Sequence, residues 1–199
     1  MTAMSASPKP MFFFGAMSPY SWFAAERIEH LLPRARWHGV LAGAVFKAND
    51  RTSWGLTDAR ERGIGDCEAR AAARGLGTIV WPDPWPTSDL HVARAMTYAE
   101  TLGRLREYAL SAMRLAFREG RDLGERDSAI DAGSRVGIDA DELARALDSQ
   151  TIKDALRAST EHVIARGVFG VPTFAVGEQL FWGDDRLEDA AAAQRALSA

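Results

Sequence analysis

The sequence of 199 residues is poor in cysteine, with Cys67 as its one example. A single cysteine cannot form an internal disulfide, and the chain contains no C-x-x-C motif. Disulfide exchange between two cysteines of this chain is therefore excluded. Because free cysteines are often buried as small apolar residues, we expect Cys67 to pack on a helix without a chemical role.

Long hydrophobic runs are absent as well. No apolar stretch approaches the roughly 20 residues that a membrane-spanning helix requires. The first ten residues, MTAMSASPKP, lack the apolar segment of a secretory signal, so we expect a flexible tail there. From these absences we expect a protein of the cytoplasm that does not enter a membrane.

Neither sign of charge dominates, since 24 Lys and Arg residues stand against 27 Asp and Glu residues, and the formal net charge is -3. The chain therefore lacks the excess of basic residues that indicates nucleic-acid binding, and it has no Lys- and Arg-rich run that would bind an anionic membrane surface. The histidines are scattered without metal-ligand spacing, so we expect no metal site. They are His30, His38, His91 and His162.

The beginning of the chain has the pattern of a strand, a helix and a second strand. Residues 11–17 (MFFFGAM) form an aromatic-rich apolar run, which predicts a buried strand. Ser18 is a favoured N-cap residue and Pro19 is favoured at the first helical position, so a helix is predicted from Pro19 to Pro33. Residues 35–42 (ARWHGVLA) predict a second strand, parallel to the first.

The end of the chain has the pattern of two strands and a helix. Residues 173–176 (TFAV) and 179–182 (QLFW) predict short strands, with Gly177-Glu178 between them as a type II′ hairpin turn. A helix is predicted from Asp184-Asp185 onward. Its predicted buried stripe consists of Leu187, Ala190, Ala191 and Leu197.

The middle of the chain is predicted to be helical. Residues 90–119 carry apolar side chains at helical spacing, interrupted by Gly103. Asp139 and Glu142 have the spacing of a capping box. Residues 77–88 (GTIVWPDPWPTS) are too rich in proline for regular structure, so we expect a loop.

These patterns predict an α/β protein with a thioredoxin-like fold, whose βαβ and ββα ends pair in one four-stranded sheet. The predicted thioredoxin-like domain consists of residues 10–48 and 166–199. An inserted all-helical domain is predicted for residues 49–165.

Ser18-Pro19-Tyr20-Ser21 lies where thiol–disulfide oxidoreductases have Cys-Pro-x-Cys. A helix start carries partial positive charge and unpaired N–H groups, which stabilise a thiolate. With serine at both positions, the site can act only on a thiolate from outside, and glutathione is the natural one. The alternative is an ordinary Ser-Pro helix start without a site.

Two further motifs lie near the end of the chain. Val171-Pro172 precedes the predicted hairpin, where thioredoxin-like proteins have a cis proline whose preceding residue pairs with a peptide-like ligand. The alternative is a trans proline at the edge of a strand. After Trp182, backbone N–H groups at the helix start can bind the carboxylate of the γ-glutamyl end of glutathione and Asp185 can bind its ammonium group; alternatively, Asp184 and Asp185 simply stabilise the helix dipole.

Three stretches resemble the 2-hydroxychromene-2-carboxylate isomerases and the related kappa-class glutathione transferases. They are FFGAMSPYSW (13–22), GAVFKAN (43–49) and GVFGVPTFAVGEQLFWGDDRL (167–187), and the resemblance spans roughly residues 11–198. It implies a thioredoxin domain interrupted by a helical domain, and it allows a homodimer.

The resemblance also implies roles for particular residues. The serine that activates glutathione corresponds to Ser18, which we predict to be catalytic. The residues that contact glutathione correspond to Lys47, Asn49, Val171, Pro172, Trp182, Asp184 and Asp185.

The chain departs from the family pattern at two places. Family members usually have an acidic residue three positions before the serine, whereas this chain has Gly15. Residues 50–66 (DRTSWGLTDARERGIGD) also differ from the family, in a region expected to border the substrate. The candidate walls of a hydrophobic substrate pocket between the domains are Trp54, Trp81, Trp85 and Trp182, with core packing as the alternative for each.

The resemblance and the helix-start site together predict a glutathione-dependent cis–trans isomerase. Its substrate is expected to be 2-hydroxychromene-2-carboxylate or a similar aromatic pyruvate-type compound, hence a small hydrophobic aromatic acid. Two alternatives remain open from the sequence. One is a kappa-like glutathione transferase, and the other is a thioredoxin-like module that binds partners without catalysis.

Overall fold

The computed structural model describes residues 9–198, so most of the predicted N-terminal tail lies outside the described residues. In chain order the elements are β1 (Met11–Phe14), α1 (Pro19–Ala25), α2 (Ile28–Leu31), β2 (Arg36–Gly39), α3 (Ala42–Ala48), α4 (Arg60–Ala73), α5 (Leu90–Thr101), α6 (Leu105–Glu119), α7 (Arg126–Ser134), α8 (Ala140–Asp148), α9 (Gln150–Ala165), β3 (Thr173–Val176), β4 (Gln179–Trp182) and α10 (Leu187–Ser198). Short 3-10 turns lie at Trp54–Leu56 and Asp184–Arg186. Over the described residues, every helix is too short or too polar to cross a membrane.

The strands form one mixed sheet in the order β2-β1-β3-β4. β1 runs parallel to β2 and antiparallel to β3, and β3 and β4 form the hairpin. Phe12 of β1 lies opposite Trp37 on one side and Phe174 on the other. Its ring centroid is 5.0 Å from that of Trp37 and 5.4 Å from that of Phe174, so aromatic packing joins three strands. The predicted four-stranded thioredoxin-like sheet is confirmed.

The hairpin matches the predicted strands residue for residue, and Gly177 has the positive φ of 58° that its turn requires. In α10 the predicted stripe is buried at Leu187, Ala190 and Ala191. The prediction for Leu197 was wrong, because this side chain is 52% exposed. It lies in the last turn of α10, beside the hairpin turn at the end of the sheet.

The first helix begins at Pro19 as predicted, but it does not run to Pro33. It ends at Ala25, and a separate short helix, α2, follows. Between them, the Glu26 carboxylate accepts hydrogen bonds from the Trp22 ring at 2.9 Å and from the guanidinium of Arg114 in α6 at 2.8 and 2.7 Å. This junction is held by a tertiary contact that the local sequence pattern does not show.

The helices after α3 share one core with the sheet. Trp22 of α1 stacks on Phe117 of α6 with ring centroids 5.6 Å apart. The same buried cluster contains Phe12 of the sheet and Met113 of α6. The predicted loop at residues 77–88 and the Asp139 cap of α8 are present. The predicted domain boundaries fall at the ends of α3 and α9, and the division itself stays a prediction.

Candidate active site

A cavity of about 450 Å³ lies where the start of α1 meets the helical part of the chain. Its lining comes from residues 17–20, from α3 and the segment 51–56 that follows it, from the Pro-rich loop and Asp89, and from Val171 and Trp182. Among the predicted site and wall residues, the cavity brings together Ser18, Lys47, Trp54, Trp85, Val171 and Trp182. Such a cavity is of a size typical for small ligands.

Ser18 is the N-cap of α1, as the sequence predicts. Its Oγ accepts a hydrogen bond from the backbone N–H of Ser21 at 3.3 Å, and its backbone N–H donates to the carbonyl of Gly15 at 3.1 Å. The cap bond uses the hydroxyl oxygen as acceptor and leaves the hydroxyl hydrogen to be donated. Ser18 can therefore offer that hydrogen to an anion in the cavity.

Ser21 has a different role from Ser18. Its side chain is fully buried, and its Oγ accepts a hydrogen bond from the backbone N–H of Gly15 at 3.4 Å. The hydroxyl is thus directed into the turn between β1 and α1 and does not line the cavity. Only the first of the two serine positions is placed for chemistry.

The peptide bond between Val171 and Pro172 is cis, as expected from the thioredoxin-like pattern. The Pro172 carbonyl accepts a hydrogen bond from the N–H of Gly183 at 2.9 Å, which ties this segment to the end of β4. Within residues 9–198, the backbone N–H and C=O of Val171 have no protein hydrogen-bond partner. Because Val171 lines the cavity, these groups are available to a peptide-like ligand.

Gly15 is required by a close approach of β1 to α3. A Cβ at this position would lie 2.8 Å from the Cβ of Ala42 and 3.6 Å from Cγ2 of Val171. Any larger side chain, including an acidic one, would collide with the start of α3. Close packing against α3 therefore explains why glycine, and not the acidic residue usual in the family, stands at position 15.

Asp89 supplies a carboxylate at the cavity that the sequence analysis missed. Its Oδ2 accepts hydrogen bonds from the backbone N–H groups of Ala42 at 2.7 Å and Gly43 at 3.4 Å, so it caps α3 from a distant loop. Burial raises the pKa of the Asp89 carboxyl, and these N–H groups partly oppose the rise. In the sequence, Asp89 precedes Leu90 and resembles an N-cap of its own helix, which conceals the long-range contact.

Asn49 was predicted to contact the ligand, and the structure places it elsewhere. It is the C-cap residue of α3, and its side-chain N–H donates to the carbonyl of Val45 at 2.9 Å. It is not among the residues that line the cavity, whereas Lys47 and Arg51 are. The amide is therefore committed to ending the helix.

The two aspartates after Trp182 differ sharply. Asp184 is 1% exposed, and its carboxylate pairs with the guanidinium of Arg70 at 2.6 Å and with that of Arg74. The resemblance implies that Asp184 contacts glutathione, but its carboxylate is already paired with these two internal cations. Asp185 is exposed and does not line the cavity, and its contact with a ligand stays a prediction.

Aromatic side chains form one side of the cavity. Trp54 and Trp85 line it, with ring centroids 5.0 Å apart, and the Trp85 ring N–H donates to the Met17 carbonyl at 3.2 Å. The prediction of Trp81 as a wall residue was wrong, because it packs behind them and donates to the Glu68 carboxylate at 3.1 Å. These indoles give the cavity an apolar half suited to a flat ring.

The one thiol of the chain is not part of the cavity. Cys67 is fully buried in α4, as predicted, and burial raises the pKa of its thiol to about 11. A neutral, inaccessible thiol is unreactive at physiological pH. The thiol for any thiolate chemistry at Ser18 must therefore come with a ligand.

A βαβ unit, a ββα unit and a cis proline, interrupted by helices, define a thioredoxin-like protein with a helical insertion. The chain belongs to the family of DSBA-like thioredoxin domains, whose model matches residues 11–194.

Among curated proteins, the chain is similar to a 2-hydroxychromene-2-carboxylate isomerase of Sphingobium xenophagum, with 25% identity over 191 residues, 89% of this chain and 93% of the relative. The protein of the same name from Pseudomonas putida is 24% identical over 188 residues, 88% of this chain and 89% of the relative. A solved structure of 2-hydroxychromene-2-carboxylate isomerase superimposes with a TM-score of 0.83 at 22% identity, over 94% of this chain and 95% of that chain. The resemblance first seen in the motifs is thus confirmed over most of the chain.

Proposed function

We propose that this protein is a glutathione-dependent cis–trans isomerase of 2-hydroxychromene-2-carboxylate or a similar aromatic pyruvate-type compound. The two curated relatives that carry the name of this isomerase support an isomerase role. The dependence on glutathione is supported by the cavity. It is lined by Ser18, whose hydroxyl hydrogen is free, and by Val171, whose peptide groups are free, and no cysteine lines it. A cytoplasmic location is part of the proposal, because glutathione is abundant there.

The residues present fit glutathione by their chemistry. The unpaired N–H and C=O of Val171 can form the antiparallel pair that the cysteinyl backbone of a short peptide offers. Ser18 lies at the helix start, where partial positive charge favours an anion. Lys47 faces the same cavity with no carboxylate of residues 9–198 in ion-pair distance, so it can bind a carboxylate of the ligand.

Bound glutathione would supply a thiolate that adds to a conjugated double bond and later leaves, which permits rotation about that bond between the two steps. Ser18 lowers the pKa of the thiol by donating its hydroxyl hydrogen to the anionic form. Val171 would hold the peptide backbone of glutathione in the cavity that Ser18 also lines. Trp54 and Trp85 hold the aromatic ring of the substrate and exclude water from the reacting atoms.

The proposal is tested by turnover with a count of glutathione. Conversion of 2-hydroxychromene-2-carboxylate is followed by absorbance with and without glutathione, and free glutathione is measured at the end. We expect turnover that requires glutathione and leaves its concentration unchanged. Glutathione loss in step with product would show a transferase, and failure to bind glutathione or to turn over would show a non-catalytic module.

Variants at Ser18 connect this activity to the site. Ser18→Ala is expected to lose most of the activity, and Ser18→Thr to retain part of it, because threonine keeps the hydroxyl. Ser53→Ala is the matched control, since Ser53 also caps a turn at the cavity, by accepting the Gly55 N–H at 3.3 Å. Equal loss in Ser18→Ala and Ser53→Ala would contradict a specific role for Ser18.

A further inference from the structure

Arg51 is held in a defined position at the cavity by two aromatic rings. Its guanidinium carbon lies 4.4 Å from the centroid of the Trp182 ring and 5.3 Å from that of Phe169. The centroids of these two rings are 5.0 Å apart. Its backbone N–H donates to the Phe46 carbonyl at 2.9 Å. Arg51 is an exposed residue that lines the cavity, with its backbone tied to α3 and its guanidinium over the Trp182 ring.

The residue before Arg51 has an uncommon backbone conformation. Asp50 has a φ of 51°, and it is the one non-glycine residue with positive φ among those that the structure describes. Aspartate adopts this left-handed region more readily than most L-residues, so the residue type suits the turn. This turn brings Arg51 back from the end of α3 against Phe46 and over the cavity.

The charge of Arg51 is not balanced by a carboxylate within residues 9–198. None of the described carboxylates pairs with Arg51 or with the neighbouring Lys47, and the Arg51 side chain donates no hydrogen bond within residues 9–198. Asp89, on the same cavity, has its Oδ2 bound to the start of α3. The guanidinium lies over the Trp182 ring, and its N–H groups donate to none of the described residues, so they can donate to a planar anion.

We infer that Arg51 binds a carboxylate group of a ligand at this cavity and thereby determines specificity for acids. The identity of the ligand rests on the proposed function, and two sources share this chemistry. One is the glycine carboxylate of glutathione, and the other is the carboxylate of the aromatic acid. Arg51 lies in the segment that departs from the family pattern, so this contact belongs to this chain's own selectivity.

The test compares each acid with its neutral counterpart. Calorimetry measures binding of glutathione against glutathione ethyl ester, blocked at glycine, and of cinnamate against cinnamamide. In Arg51→Gln, we expect one acid of the two pairs to bind about 10- to 100-fold more weakly, from loss of a charged hydrogen bond, with its neutral partner unchanged. Arg51→Lys should recover part of the loss, and exposed Arg195→Gln should change nothing.

Each outcome has a definite meaning. A loss confined to glutathione assigns Arg51 to its glycine end, and a loss confined to cinnamate assigns it to the substrate acid. Equal loss for acid and neutral partner, or no loss, overturns the inference, as does a wild-type protein that prefers neither acid. If wild type binds no glutathione, the proposed function fails, while the cinnamate pair still decides the role of Arg51.

Discussion

Replacing Gly15 with alanine tests the close approach between β1 and α3 that shapes the cavity. The new Cβ would lie 2.8 Å from the Cβ of Ala42, whereas carbon atoms in contact prefer about 3.5–4.0 Å. Overpacking of a buried site costs about 1–3 kcal/mol. The smaller entropy of the unfolded chain returns about 0.4–1 kcal/mol. The free energy of unfolding should therefore fall by about 1–2 kcal/mol.

The assay is urea unfolding followed by circular dichroism, with two companion variants. Gly65→Ala, in the middle of α4 with no atom within 4 Å of the new Cβ, should stabilise the protein by about 0.5–1 kcal/mol. In Gly15→Ala/Ala42→Gly the colliding atom is removed, and the nearest remaining one is Cγ2 of Val171 at 3.6 Å. The double-mutant cycle should then show a favourable coupling of about 1–2 kcal/mol. If Gly15→Ala behaves like Gly65→Ala, the close approach is refuted.

Three further changes have defined outcomes. In Ser18→Cys, the new thiol should be alkylated rapidly at neutral pH, because a helix start lowers the pKa of a thiol. Cys67 should stay unmodified in the folded protein, because burial raises the pKa of its thiol to about 11. Mass spectrometry distinguishes the two sites. Asp184→Asn should lower the free energy of unfolding by about 2 kcal/mol. This is below the usual cost of breaking a buried ion pair, because the Arg70 side chain is 34% exposed. Asp185→Asn should lower it by less than about 0.5 kcal/mol. Trp54→Leu should weaken cinnamate binding about five-fold in calorimetry, through loss of about 1 kcal/mol of ring contact, and an unchanged affinity would remove Trp54 from the substrate wall.

The sequence predicts those features that depend on neighbouring residues. Ser18-Pro19 marks the start of α1 because cap chemistry and the fixed φ of proline act over a few residues. The hairpin follows from Gly177 for the same reason. The sheet follows from the order of these local units, since few topologies accommodate a βαβ and a ββα end.

The features that escaped prediction depend on partners far away in the chain. Asp89 caps α3 across 47 residues, and Asp184 meets Arg70 across 114. A pattern of apolar spacing has no information on which polar side chain a carboxylate will meet. The different roles of Ser18 and Ser21 likewise depend on side-chain direction, which two equal letters do not reveal.

The central claim is that Ser18 stabilises a thiolate brought by glutathione. The most direct measurement is the ultraviolet difference absorbance of bound glutathione as a function of pH, for wild type and for Ser18→Ala. A hydrogen bond to a charged group contributes about 1.5–3 kcal/mol, so the pKa of the bound thiol should rise by about 1–2 units in Ser18→Ala. A wild-type protein without a thiolate signal at neutral pH, or the same pKa in both proteins, would contradict the claim.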